Sequence, residues 1–178
     1  MGYAHYMKQQ RDFTEDEWSG TVNDIRALQA RLPKHSESAG GYYRDAPLAI
    51  TGLDPDLPAE QIYDPKHETI AFNGCAPGDG GDEEDLSHES FSLNRLKDSQ
   101  HSLEGFCKTA RKPYDLMVCA SLIVAEDRAP GALRIRSDGD PGEWAPAQAF
   151  AEQVLGRPLK IPGGVYPTPT PRTIRRGP

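Results

Sequence analysis

The chain has 178 residues, of which 37% are hydrophobic and 26% charged, and its formal net charge is -7. This length and apolar content suit one globular domain and exclude a chain too polar to form a core. The negative net charge argues against broad non-specific binding to nucleic acid or to an anionic membrane, because both attract positive charge.

The cysteines and the apolar runs further limit the class of protein to which this chain can belong. The longest apolar run, residues 116–125, is too short to span a bilayer, and the first ten residues lack the apolar segment of a secretory signal. The three cysteines, Cys75, Cys107 and Cys119, include no CxxC pair, so the sequence does not predict a structural zinc site. We expect a reduced, cytoplasmic protein without a metal or a cofactor.

The first predicted elements are a short strand at residues 3–7 and a helix. Thr14 and Glu17 have the spacing of a capping box, and Phe13 and Trp18 have that of a hydrophobic staple. Apolar residues then recur at spacings of three and four until Pro33 ends the helix, at Trp18, Val22, Ile25, Leu28 and Leu32. The pattern predicts an amphipathic helix with one buried face.

Further strands are predicted at residues 48–50, 68–72, 89–93 and 133–136. Residues 113–127 are apolar nearly all round, which predicts a central buried helix. A last helix is predicted from Trp144 or Pro146 to Leu155, ending at Gly156.

These elements predict the architecture. Several strands follow one another through turns, so antiparallel pairing is expected. We predict an α+β fold with a single, mostly antiparallel sheet, the 113–127 helix packed on it and two further helices. Residues 1–160 would form one domain, and residues 161–178 a Pro- and Arg-rich tail that is extended or disordered.

A basic segment, residues 107–112, directly precedes the predicted buried helix. It contains Lys108, Arg111 and Lys112, together with the hydroxyl of Thr109. The free N–H groups and the dipole at a helix start favour an anion. The segment does not match a P-loop, and the interval from Cys107 to Arg111 is too short for a cysteine-phosphatase loop. It predicts either a phosphate or carboxylate site or a solvated basic loop.

Aromatic residues surround a histidine near the start of the chain. Tyr3, His5 and Tyr6 could stack on a ring and supply a titratable hydrogen-bonding group, and Tyr114 could join them through the fold. The alternative is a strand with half-buried tyrosines. On either interpretation, these side chains are candidates for a ligand pocket.

Other residues allow weaker interpretations. Cys107 could be a nucleophile but suits a core position, and Cys119 is expected in the core. Asp138 and Asp140 could form a metal or acid–base pair but also suit a turn. The acidic stretch at residues 79–89 departs from the EF-hand pattern, so we expect a solvated loop there.

The stretches "MGYAHY" and "FCKTARKPYD", together with the segment from Ser137 to Trp144, resemble an uncharacterised group of phage and bacterial proteins. No activity is known for this group, so the resemblance transfers no catalytic residue. It implies a small accessory protein of the cytoplasm, which would be the host cytoplasm if the origin is viral.

The leading functional hypothesis is a non-enzymatic binding protein for an anionic, phosphorylated ligand such as a nucleotide, for example a signal nucleotide of a phage host. Its ligand-binding residues would be Tyr3, His5, Tyr6, Lys108, Thr109, Arg111, Lys112 and Tyr114. One alternative is a hydrolase or phosphodiesterase that uses His5, Cys107 or the Asp138 and Asp140 pair. Another is an interaction module in which the basic segment or the arginine tail binds an acidic protein.

Overall fold

The computed structural model describes residues 2–36, 45–76, 86–97 and 105–166, which form three helices and two antiparallel sheets. The helices are α1 (Glu15–Ala30), α2 (Asp115–Arg128) and α3 (Pro141–Leu155). The strands are β1 (Ala4–Gln9), β2 (Ile50–Gly52), β3 (Tyr63–Asp64), β4 (Thr69–Gly74), β5 (Phe91–Asn94), β6 (Gly105–Lys108) and β7 (Leu133–Ser137). The predicted α+β class is confirmed.

The strands form two sheets where we expected one. In the first, β1 lies between β6 and β7 and is antiparallel to both. In the second, β4 pairs with β2, β3 and β5. No strand pairing among the described residues joins the two sheets. Alternating polarity predicts that a segment is a strand but does not identify its partner, which explains the difference.

Helix α1 begins as the sequence predicts. The Thr14 hydroxyl accepts a hydrogen bond from the Glu17 N–H at 3.2 Å, and the Glu17 carboxylate accepts one from the Thr14 N–H at 2.9 Å. Phe13 and Trp18 pack edge to face with ring centroids 5.4 Å apart. The capping box and the staple therefore fix where the helix starts.

Helix α2 is the centre of the core, as predicted from its apolar sequence. Every residue from 117 to 125 is buried, and the helix packs against α1, α3 and β7. It covers Asp115–Arg128, close to the predicted 113–127. Burial on all sides explains why its sequence shows no polar face.

Helix α3 begins earlier than predicted. Its N-cap is Asp140, which accepts a hydrogen bond from the Glu143 N–H at 3.0 Å, and Pro141 occupies the first helical position. Proline suits that position because its missing N–H has no helical partner there. The helix ends at Gly156, whose φ of 66° is left-handed, as expected at a helix end.

The segment after α3 packs on the first sheet. Residues 163–165 form a short 3₁₀ helix against β7, and Val165 is buried. Val165, which the sequence assigned to the tail, thus belongs to the core, and Ile161 packs against it. The remainder of the predicted tail, 167–178, and the acidic residues 79–85 lie outside the described residues. Among the described residues, no helix is both long enough and apolar enough to cross a membrane.

Candidate functional site

The two stretches singled out in the sequence lie side by side in the first sheet. In the antiparallel pairing of β1 with β6, His5 is opposite Cys107 and Tyr6 is opposite Phe106. Successive side chains of a strand point to opposite faces. The stretches therefore meet, but their side chains divide between an inner face that packs on the helices and an outer face.

The outer face carries aromatic and basic side chains, and we call it the aromatic–basic face. Its central row runs across three strands, with Tyr6 of β1 opposite Phe106 of β6 and Arg136 of β7. Lys8 is opposite Arg134 on one side of this row, and Lys108 is opposite Ala4 on the other. The full set is Tyr6, Lys8, Phe106, Lys108, Arg134 and Arg136.

The aromatic residues of this face are accessible. The rings of Tyr6 and Phe106 lie 6.5 Å apart, and the guanidinium carbon of Arg136 lies 5.6 Å from the centre of the Tyr6 ring. Phe106 is 58% exposed, although large apolar side chains are normally buried. Tyr6, Phe106 and Lys108 also line an open depression of about 430 Å³. The face thus offers ring surfaces to a ligand.

The aromatic–basic face carries four cationic side chains. Within the part of the chain that the structure describes, no ion pair joins Lys8, Lys108 or Arg134 to a carboxylate. Asp138 lies at the margin, where it accepts from the Ala4 N–H at 3.0 Å and from the Tyr6 hydroxyl at 3.5 Å. The outer face is therefore a local basic surface on an acidic protein.

The inner face carries a compact polar cluster of His5, Asp115 and Cys119, which we call the buried triad. His5 Nε2 lies 2.7 Å from Asp115 Oδ1 and 3.5 Å from Cys119 Sγ, and Cys119 Sγ lies 3.7 Å from Asp115 Oδ2. His5 is completely buried and Cys119 almost completely, whereas the side chain of Asp115 is 18% exposed. The three side chains offer one nitrogen, one oxygen and one sulfur ligand to a metal ion.

Neighbouring side chains fix the orientation of the buried triad. Ser137 Oγ lies 2.9 Å from His5 Nδ1 and accepts hydrogen bonds from the Gly139 N–H and from Trp144 Nε1. Because those two donors use both acceptor positions of the hydroxyl, Ser137 donates its hydrogen to Nδ1. His5 then carries its proton on Nε2 and donates it to Asp115. The Thr109 hydroxyl also donates to Asp115 Oδ1.

A cavity gives access to one side of the buried triad. It has a volume of about 330 Å³ and lies between α2, α3 and residues 33–36. Asp115 and Cys119 line it together with Lys112, Glu143, Ala147 and Phe150. Small molecules bind in cavities of this size that combine apolar walls with a few polar groups.

The thiols near this cavity are protonated at neutral pH. Burial, and then the charge of Asp115, raises the pKa of Cys119 well above its ordinary value. The same two causes raise the pKa of Cys107 to about 12. Cys107 donates to the Glu89 carbonyl at 3.4 Å. Since the thiolate is the nucleophile, neither environment activates a cysteine for catalysis.

The basic segment does not form an anion site at the start of α2. The N–H groups of Asp115, Leu116 and Met117 already bond to carbonyls of residues 112–114, and the Asp115 carboxylate occupies the positive end of the helix. Arg111 bonds to Glu143 at 2.9 Å and lies 4.0 Å from the Tyr3 ring centre. The first two residues of the segment belong to β6, where we expected a loop.

The eight predicted ligand-binding residues therefore separate. Tyr6 and Lys108 lie on the aromatic–basic face. Tyr3, His5 and Thr109 lie inside, in or beside the buried triad. Lys112 donates to the Ser87 carbonyl at 2.6 Å, and buried Tyr114 donates to the Glu89 carbonyl at 2.7 Å. The structure does not bring all eight residues into one pocket.

Sequence reasoning missed several residues of both sites. Asp115 and Cys119 are four apart on α2, a spacing that places them on one helix face and could have pointed to a paired role. Phe106 and Lys108 alternate with Cys107, as Arg134 and Arg136 alternate with Ile135. Because β1 pairs with both β6 and β7, the two alternating patterns together indicate one basic face across the sheet. Asp138 and Asp140 have separate structural roles, the first at Ala4 and the second as the α3 cap.

A second group of possible metal ligands, Asp54, Asp64 and His67, is more exposed and lies at the end of β3 and in the turns beside it. Asp54 and Asp64 accept backbone hydrogen bonds at 2.8 Å from residues two positions later. These contacts are typical of turns, so this group has a local structural explanation.

No protein-family model matches the chain, and no curated protein and no solved structure matches it. The resemblance to the phage and bacterial group stays a prediction.

Proposed function

We propose that the chain is a binding protein for a nucleotide-containing ligand and that the ligand binds on the aromatic–basic face. The observation that carries this proposal is the row of Phe106, Tyr6 and Arg136, with Lys108 on one side and Lys8 and Arg134 on the other. Exposed aromatic rings stack on nucleobases, and adjacent cations bind phosphates.

The energetic balance on this face favours such a ligand. Covering the exposed ring of Phe106 with a base would remove apolar surface from water, which is favourable. Base stacking on an aromatic side chain contributes about 1–3 kcal/mol of binding free energy per base. The cations of Lys8, Lys108 and Arg134 would gain a charged partner, because no carboxylate of the described residues neutralises them. On a chain with a net charge of -7, a local cluster of cations is the kind of surface that attracts phosphate.

This proposal keeps the phosphorylated ligand expected from the sequence but moves its site. Of the eight expected residues, Tyr6 and Lys108 stay in the proposed site. Phe106, Lys8, Arg134 and Arg136 join them. Arg111 and Lys112 are held by Glu143 and by the Ser87 carbonyl, so they are not part of it.

Fluorescence anisotropy would test the proposal and identify the source of the nucleotide. The probes are labelled ATP and single strands of about eight nucleotides, a typical site length. Phe106→Ala should weaken binding by about 1–3 kcal/mol. Lys108→Ala should weaken it and reduce the dependence on salt by about one phosphate contact. ATP binding alone would indicate a free nucleotide, and tighter binding of the strands would indicate single-stranded nucleic acid.

Two control variants remove similar groups elsewhere. Leu96→Ala removes another exposed apolar side chain, and Lys66→Ala removes an exposed lysine from the β3–β4 turn. Neither should change binding. If neither probe binds at low salt, or if an acidic peptide competes equally with the nucleotides, the proposal is wrong.

A further inference from the structure

We propose that His5, Asp115 and Cys119 bind a zinc ion at the wall of the cavity. This site lies on the opposite side of β1 from the aromatic–basic face and is independent of the nucleotide proposal. Three ligand atoms of different type already lie close together without any rearrangement of the backbone.

The two distances from Cys119 Sγ to its neighbours in the buried triad approach those of tetrahedral zinc. With Zn–N, Zn–O and Zn–S bonds of about 2.0–2.3 Å, tetrahedral angles give separations of about 3.5 Å for S–N, 3.6 Å for S–O and 3.4 Å for N–O. The structure has 3.5 Å for Cys119 Sγ to His5 Nε2 and 3.7 Å for Cys119 Sγ to Asp115 Oδ2. Binding would open the hydrogen bond from His5 to Asp115, at 2.7 Å, and would release the Cys119 thiol proton to solvent through the cavity, because the thiolate is the ligand.

The types of ligand atom in the buried triad indicate which metal ion would bind there. Calcium and magnesium prefer oxygen ligands throughout, whereas imidazole and thiolate suit zinc. A carboxylate as the third ligand is also common at zinc sites that carry out catalysis. Among the abundant divalent cations, this combination therefore fits zinc best.

The side chains behind the ligands suit a bound ion. Binding at Nε2 would move the imidazole proton to Nδ1, where Ser137 Oγ, 2.9 Å away, can accept it. Ser137 would turn and give up one of its present contacts, a small loss beside zinc coordination. Thr109 would keep its hydrogen bond to Asp115. Such partners hold ligand side chains in place at zinc sites.

The position of the cavity indicates the kind of zinc site. Asp115 and Cys119 line the cavity, whereas His5 is fully buried behind them. Three protein ligands leave the fourth position to a molecule from the cavity side. This is the arrangement of catalytic zinc sites, whereas structural sites have four protein ligands. A zinc ion there would activate a bound water molecule.

Cobalt substitution would test the site directly. Full-length protein, treated with a chelator and dialysed, is titrated with Co²⁺ and separately with Zn²⁺. We expect about one ion per chain, intense visible bands of tetrahedral Co²⁺, and a thiolate-to-cobalt charge-transfer band in the near ultraviolet. Zn²⁺ should displace the cobalt and abolish both absorptions.

Variants of the two buried cysteines identify which thiolate produces the charge-transfer band. Cys119→Ser should abolish the charge-transfer band, and His5→Gln should weaken binding at least about tenfold. Cys107→Ser is the control, because Cys107 is equally buried but its thiol donates to the Glu89 carbonyl. Circular dichroism establishes that each variant is folded.

Two results would overturn the proposal. The first is a folded wild-type chain that shows no charge-transfer band with excess Co²⁺. The second is a band that survives Cys119→Ser but disappears in Cys107→Ser. Phe106→Ala should leave metal binding unchanged, so this test and the nucleotide test can fail separately.

Discussion

His5 and Tyr6 are consecutive residues of β1, yet their side chains reach opposite sides of the first sheet. His5 is completely buried beside Asp115 and Cys119, whereas Tyr6 lies against exposed Phe106. One strand thus contributes to both candidate sites. The alternation of its side chains separates the proposed site for a phosphorylated ligand from the proposed zinc site.

Asp24 should make the stability of the protein depend on acid pH. It is buried on α1 and accepts hydrogen bonds from Arg128 at 2.7 and 3.0 Å and from Arg157 at 2.8 Å. Burial alone would raise its pKa, but the hydrogen bonds from these arginines outweigh burial and lower the pKa below 3.8. The ion pairs of Asp24 with Arg128 and Arg157 therefore stabilise the fold above about pH 4. That stability is lost as the pH falls through the lower, folded-state pKa.

Asp24→Asn should lower the free energy of unfolding at pH 7 by about 1.5–3 kcal/mol, because hydrogen bonds to a charged group contribute this much. Urea denaturation at pH 7 and pH 3 measures both effects, and the variant should lose part of the difference between them. Asp16→Asn, at an exposed position of the same helix, is the control. Equal losses in the two variants would contradict this account.

Gly164→Ala should separate the 3₁₀ segment from β7. A Cβ at this position would lie 1.9 Å from the Ile135 carbonyl oxygen, a rigid backbone atom. The segment would have to move and expose Val165, which is now buried. We expect a loss of about 1–3 kcal/mol, measured as a lower Tm. Gly163→Ala has open space around its Cβ and should leave the Tm nearly unchanged.

The three cysteines should differ in their reaction with iodoacetamide. Burial raises the pKa of all three thiols, but Cys107 and Cys119 are buried, whereas Cys75 is partly exposed. At neutral pH, mass spectrometry should find alkylation at Cys75 first, and at the other two only after urea unfolds the chain. Rapid alkylation of Cys107 in the folded protein would revive its interpretation as a nucleophile.

Ser137→Ala should destabilise the inner face of the sheet. The Ser137 hydroxyl donates to His5 Nδ1 and accepts from the Gly139 N–H and from Trp144 Nε1. Its loss would leave these buried polar atoms without partners. Such a loss costs about 1–3 kcal/mol. Urea denaturation measures it. If the zinc site exists, the variant should also bind Co²⁺ about 10–100 times more weakly. Ser92→Ala, at an exposed position of β5, should change neither quantity.

Local patterns predicted the local structure well. The start of α1 depends on Thr14 and Glu17, which are three residues apart, so the sequence contains the whole signal. The buried helix likewise depends on a continuous apolar run. The last helix was predicted to begin at Trp144 or Pro146. The sequence does contain the earlier start signal, because Asp140, Pro141 and Glu143 form a complete one.

Both candidate sites depend on contacts that no local pattern contains. His5 and Asp115 are 110 positions apart, and His5 and Ser137 are 132 apart. Their proximity follows from the pairing of β1 with β6 and β7, which strand propensity does not specify. The positive charge of residues 107–112 suggested one anion site, but β6 sends Lys108 outward while Thr109 is buried. The turn after β6 then directs Arg111 to Glu143.

The central position of β1 has a consequence for the order of events during synthesis. At about 5–20 residues per second, the ribosome adds Ser137 about 7–26 s after His5. Until residues 105–108 have been added β1 has neither of its neighbouring strands, and until Ser137 has been added it still lacks the complete β7. The N-terminal strand must therefore wait for the last third of the chain. The first sheet, and both candidate sites with it, can form only late in translation.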